Sequence, residues 1–314
     1  MLRRRLAPIA LLVIGAGFAL AAPHPARAAG SALSVWRDGS WHAWWSAGSA
    51  PDHWPGPDPR VTGALEWKPV GDGVEWASAR LACSAPAWRT RLIVVRLDPH
   101  RVRLSLAMEL AARDGRPAWT IDRAPRGALM AVNAGQFLRT MPWGWLVMEG
   151  RQRLRPGMGP LSTALAVDAS GAIRWIAGDS LDSPPPGVVT AFQSYPTLLD
   201  DDGRIPIALR TPGSGVDLTH RDARLAIGET RDGRLLVVMT RFDALGEVAG
   251  TLPLGPTTPE MAAVMGALGA RDAVMLDGGI SAQMVLRDPK NGRRWRWPGL
   301  RKVPLALLVR PRDR

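Results

Sequence analysis

Three separated places in the sequence set a polar residue at the end of an apolar run. Leu129-Met130-Ala131-Val132 leads into Asn133-Ala134-Gly135-Gln136-Phe137. Arg224 stands within the run Ala223-Arg224-Leu225-Ala226-Ile227-Gly228, and Met275-Leu276 leads into Asp277-Gly278-Gly279-Ile280-Ser281. A carboxylate beside two glycines sits on backbone that a ligand can approach closely. A guanidinium matches the oxygens of phosphate or carboxylate, and an amide both donates and accepts. Each residue also has a plainer reading: Asn133 as a turn-capping amide, Arg224 on a solvated face or in a buried ion pair, Asp277 as the cap of its own turn.

Other chemistries lack their residues. The sequence has no G-x-S-x-G, no H-E-x-x-H and no P-loop, and one cysteine, Cys83, forbids a C-x-x-C. The histidines at 24, 42, 53, 100 and 220 are scattered, so no metal site and no cofactor is expected. Asp200-Asp201-Asp202-Gly203 offers oxygens suited to calcium, but a solvated hairpin tip accounts for it more simply. Cys83 reads as a small buried apolar residue.

The elements that must position these residues read as short strands. With 33 Gly and 28 Pro the chain turns often, which disfavours a helical bundle. Runs of Val, Ile and Leu at 91–98 and 101–108, 163–168 and 172–176, 196–199 and 205–209, and 223–229 and 234–240 flank turn residues, predicting hairpins. One helix is predicted from Thr258-Pro259 to Gly269, with Met261, Val264, Met265 and Leu268 at i, i+3, i+4 and i+7, followed by a buried strand at 273–276. The fold class expected is α+β: a mixed, mostly antiparallel sheet with helices packed against it and the site at strand ends. One large domain, or two closely joined, suits 314 residues.

The N-terminus addresses the chain. Met1-Leu2-Arg3-Arg4-Arg5, an apolar run to Ala22 and Ala26-Arg27-Ala28 have the layout of a secretory signal over residues 1–28. A periplasmic or secreted mature chain starting near Ala29 is expected, with no second stretch near the ~20 apolar residues of a span. The formal charge of +12 falls to +8 without the four signal arginines. The cation is almost all Arg, the lysines being Lys68, Lys290 and Lys302. Outside the cytoplasm its partners would be glycans, phosphodiesters or anionic lipids and not nucleic acid. Residues 29–60, with Trp36, Trp41, Trp44, Trp45 and Trp54, show no clean period and read as an irregular arm packing its rings onto a domain at 61–314.

Taken together and in order, the stations resemble the phosphodiester glycosidase family, over about residues 66–312. The resemblance runs from Gly73-Val74-Glu75 through Asn133 to Phe137, Gly144-Trp145-Leu146-Val147, Tyr195-Pro196 and the Arg-x-Ala-Ile-Gly stretch at 224–228. It ends at Leu276-Asp277-Gly278-Gly279 with Ser281. Ala134, Gln136 and Ile280 depart from the family pattern, and the branched Ile280 narrows the presumed pocket.

The resemblance implies cleavage between a sugar's anomeric carbon and a phosphodiester oxygen, releasing free sugar and a phosphomonoester. Asp277 would face the anomeric centre, Arg224 the phosphate, and Asn133 the sugar hydroxyls. Gly135, Gly278, Gly279, Ser281 and His220 would complete substrate binding, with Glu149 as the reserve carboxylate. The expected partner is a phosphodiester-linked sugar or anionic glycan. Two rivals stay open: a hydrolase or transferase on a phosphate-free envelope glycan, and a non-catalytic polysaccharide-binding or exopolysaccharide-biosynthesis accessory protein using the Trp arm and Arg293-Arg294-Trp295-Arg296-Trp297.

Overall fold

The computed structural model describes residues 31–83, 89–181, 185–243 and 254–312; the signal segment 1–28 lies outside them. Three antiparallel sheets dominate. The largest has nine strands, ordered Thr197–Leu199, Ala270–Met275, Leu225–Thr230, Leu235–Phe242, Arg89–Leu97, Val74–Cys83, Ala32–Arg37 and Ser40–Ser46, with Lys68–Gly71 also pairing to Val74–Cys83. A five-stranded sheet runs Arg294–Trp297, Met284–Arg287, Met130–Asn133, Leu305–Pro311, Val102–Met108. Another runs Arg151–Leu154, Leu146–Met148, Val188–Ser194, Thr163–Asp168, Ile173–Ala177.

This bears out one part of the expected architecture and corrects another. The mostly antiparallel character is as expected, every pairing among the described strands of these sheets being antiparallel; but only two α-helices, Pro59–Thr62 and Thr258–Ala267, occur among the described residues, so the fold is sheet-dominated and not α+β. The large sheet is covered on both faces. Ile93, Val95, Val237 and Ile227 pack with Met130, Val132, Leu307, Leu165 and Phe192 of the smaller sheets. Leu92, Val94, Val238 and Ala226 pack on the other side with Trp44, Trp54 and Met261. Burial on both faces explains why Leu92 to Val95 and Leu235 to Met239 are continuous apolar runs without alternation.

Two expected hairpins form, Thr163–Asp168 with Ile173–Ala177 and Leu225–Thr230 with Leu235–Phe242. Two do not. Arg89–Leu97 pairs with Val74–Cys83 and Leu235–Phe242, so both its edges are taken, and Val102–Met108 crosses to Leu305–Pro311. After Thr197–Leu199 only the single bridge Asp200 to Arg204 closes the turn, and Ile207–Leu209 is a 3-10 turn. Asp201 and Asp202 are exposed there, Asp202 pairing with Arg231 at 3.0 Å.

The Trp-rich segment is not irregular. Ala32–Arg37 and Ser40–Ser46 form a hairpin through Asp38-Gly39 at φ 51° and 79°, and Ala32–Arg37 pairs with Val74–Cys83. Trp36 sits directly opposite Trp41 while Trp44 and Trp45 are buried, so large rings occupy both faces and hide the alternation. The long helix is capped by Thr257 in a capping box with Glu260, so Thr258 is its first helical residue. It is buried on all sides and not only along one stripe.

Candidate active site

All three polar stations lie at strand ends. Asn133 closes Met130–Asn133, Arg224 precedes Leu225–Thr230 instead of lying inside it, and Asp277 follows Ala270–Met275 by two residues. Asn133 is fully buried. Its Nδ2 donates to the Asp277 carbonyl at 2.8 Å, and its Oδ1 accepts from the Gln283 N–H at 2.9 Å. The Asp277 N–H donates to the Gly135 carbonyl at 2.9 Å, and the Gly279 N–H to the Ala223 carbonyl at 2.7 Å. A Cβ at Gly278 would stand 2.5 Å from that Ala223 carbonyl, so only glycine lets the two backbones meet. The Asp-Gly-Gly turn is thus clamped between the Asn133 segment and the residues preceding Leu225.

These contacts revise several assignments. Asn133 spends its amide on backbone and positions Asp277 instead of facing a sugar. Gly135 and Gly279 use their carbonyl and N–H, respectively, inside the clamp. Ser281 is buried beside the Asp277 carboxylate and favours its charged form. Glu149 stands at an exposed turn with φ 53°, lining a different cavity with Arg103 and Arg310.

The Asp277 carboxylate is half-buried, and its Oδ2 has no hydrogen-bond partner among the described residues. Burial raises its pKa above the usual aspartate value and the charge of Asp222 adds to this, while the Ser281 hydroxyl and the Arg301 cation oppose it. Asp222 is the functional candidate that sequence reading missed. Its carboxylate lies against Gly279, where a Cβ would stand 2.7 Å from Oδ2, and that same oxygen is 3.7 Å from His220 Nε2. Burial raises its pKa as well, opposed by Arg224. The available signal was its spacing: residues two apart on extended backbone share a face, and Asp222 is two before Arg224.

Arg224 is fixed by backbone. Its Nε donates to the Pro256 carbonyl at 2.9 Å and an Nη to the His220 carbonyl at 2.5 Å. Among the described residues no carboxylate forms an ion pair with it, whereas neighbouring Arg221 pairs with buried Glu260 at 2.7 Å. Burial lowers the Arg224 pKa, the sign of a desolvated cation, with Asp222 opposing. Arg224 and the exposed His220 line a cleft of about 500 Å³ together with Trp143, Tyr195, Leu161 and Thr258.

Two half-buried carboxylates beside a guanidinium at the end of a sheet are a glycosidase-like arrangement. The sequence matches the phosphodiester glycosidase family over residues 126–310, more than half of the chain, and the chain belongs to this family of glycosidase-type hydrolases. No curated protein matches it. Among solved structures, it is similar to the catalytic domain of zebrafish N-acetylglucosamine-1-phosphodiester alpha-N-acetylglucosaminidase at 16% identity and TM-score 0.53, covering 82% of this chain and 87% of that one. It is also similar to a hypothetical protein from Synechocystis at 15% identity and TM-score 0.50. That match covers 79% of this chain and 64% of the Synechocystis chain, so this chain spans less than two thirds of that protein. At these identities the likeness shows the fold.

Proposed function

We propose that the chain is an exported hydrolase that cleaves the anomeric carbon–oxygen bond of a sugar-1-phosphodiester, yielding free sugar and a phosphomonoester. The observation that carries the reading is Arg224: a half-buried guanidinium held by two carbonyls, without an ion-pair partner among the described residues, facing a cleft beside two carboxylates. The departing phosphomonoester takes the bond's electron pair as a stable anion, so it requires charge stabilisation more than protonation. Arg224 supplies that stabilisation. Asp277 stands by the positive charge developing at the anomeric carbon, and Asp222 accepts a proton from the water that adds there. The substrate named for the zebrafish protein, an N-acetylglucosamine-1-phosphodiester, is the first to try.

Export is supported by the basic, apolar and A-x-A succession of residues 1–28. No helix among the described residues is long and apolar enough to cross a membrane. A polysaccharide-binding role for the Trp residues fits less well, because Trp295 and Trp297 pack against Trp76 at 5.6 and 5.4 Å and Trp44, Trp45 and Trp54 are buried. The test is incubation with UDP-GlcNAc and synthetic sugar-1-phosphodiesters, following free sugar and phosphomonoester. Release of both in equal amounts is expected; release of neither, or release from phosphate-free glycosides instead, would refute the proposal.

A further inference from the structure

The cleft beside Arg224 has two unlike walls. Arg224, His220 and Thr258 form a polar end; Trp143, Met158, Leu161, Tyr195 and Val216 form an apolar wall. That wall is built firmly. The Trp143 indole lies on the Gly157 backbone, where a Cβ would come within 2.8 Å of the ring, and meets Tyr195 edge-on at 4.8 Å between centroids. Gln136 Nε2 ties the Tyr195 carbonyl to the Asn133 segment at 3.1 Å. Yet Tyr195 is 43% exposed and Met158 92% exposed, so apolar surface is left open inside the cleft.

Asp217, exposed at the rim of the same cleft, has one carboxylate oxygen committed to its own turn. Asp217 Oδ1 accepts from the Thr219 N–H, the Thr219 hydroxyl and the His220 N–H at 2.9, 2.9 and 3.0 Å. Most of the wall's surface is apolar, so an apolar group seated on it gains burial that the hydroxyls of a second sugar would not. Asp277 does not line this cleft whereas Arg224 does. With the phosphate on Arg224 and the anomeric carbon toward Asp277, the occupant of the cleft is the group beyond the phosphate.

From this we infer that the leaving half of the substrate is a phosphate ester of a hydrophobic alcohol, aromatic or aliphatic, and not of a second sugar. The inference rests on the phosphate assignment to Arg224 made above and adds the chemical class of the leaving group.

The test is calorimetric binding of product-like esters to the full mature chain: methyl, phenyl and octyl phosphate and a hexose 6-phosphate. Phenyl or octyl phosphate should bind at least ~10-fold more tightly than methyl phosphate and than the hexose ester, as burial of one ring or short chain would give. The stronger of the two identifies an aromatic or an aliphatic source. Tyr195→Ala should remove this excess and leave methyl phosphate unchanged. Met158→Gln, at a side chain too exposed to affect folding, should reduce it as well. Equal binding of methyl and hydrophobic esters, preference for the hexose ester, or an excess that survives both substitutions overturns this inference alone. No binding of any ester, methyl phosphate included, overturns the phosphate assignment and this inference with it.

Discussion

The side-chain amide of Asn133 donates to the main-chain carbonyl of Asp277 at 2.8 Å, joining two residues 144 positions apart. Through this bond and its second one to Gln283, a buried amide sets where the Asp277 turn leaves its strand. Asn133→Ala should leave the Gln283 N–H and the Asp277 carbonyl without partners. A loss of about 2–5 kcal/mol is expected for two buried polar groups left unpaired, with activity falling in parallel. Chemical denaturation checks it: an unchanged midpoint with lost activity would return Asn133 to a direct role at the substrate.

Arg224→Lys keeps the charge and removes the planar fork and its two-carbonyl support. Cleavage of phosphodiester substrates should fall by ~10–100-fold, as for loss of a charge-assisted bidentate contact. Any turnover of phosphate-free glycosides should change less. Parallel kinetics on the two substrate types check the difference, and equal losses would separate Arg224 from the phosphate.

Asp222→Asn has a signature in pH. The negative charge of Asp222 helps hold the Asp277 pKa above the ordinary aspartate range, so removing it should move the acid limb of kcat/KM to lower pH. Turnover should drop by ~10²-fold or more where Asp222 takes the proton of the attacking water. A pH–rate profile of the residual activity reads both effects. An unmoved limb would mean that the two carboxylates do not sense one another.

How far the sequence disclosed this site depends on the kind of signal. Strand-end placement was readable at Asn133 and Asp277 because apolar runs stop there against polar and glycine residues. The clamp was not, since Asn133 to Asp277 and Gly279 to Ala223 are contacts between segments distant in sequence. A lone aspartate before a strand, as Asp222 is, looks like a turn residue; its spacing from Arg224 is a weak signal, and its packing against Gly279 is what distinguishes it. The Asp38-Gly39 turn carried the usual hairpin signal, masked by tryptophans on both faces of its strands. The turn between 91–98 and 101–108 misleads for the opposite reason: a good turn does not say whether its two strands pair with each other.

Away from the site, Asp272 should govern part of the acid response of the fold. Burial raises its pKa to about 6, against partial relief from Arg271 at 3.2 Å. A folded-state value above the unfolded one means that the folded protein binds the extra proton. Stability should therefore fall as pH rises from about 4 to about 6. Allowing for partial exposure of the side chain, the contribution is about 1–2 kcal/mol. Asp272→Asn should flatten this slope in thermal melts across that range; an unchanged slope would assign it to another group.

The central claim is that Asp277 carries charge at the reacting carbon. Its most direct test compares the wild-type chain with Asp277→Asn on a sugar-1-phosphodiester that the wild type hydrolyses, with thermal melts of both. The isosteric change keeps the turn and removes the charge. Turnover should fall by at least ~100-fold, the scale of losing a major electrostatic contribution to a transition state, while stability shifts by no more than about 0.5–2 kcal/mol. Near-normal turnover in Asp277→Asn would contradict the account and leave its Asp-Gly-Gly turn a structural feature.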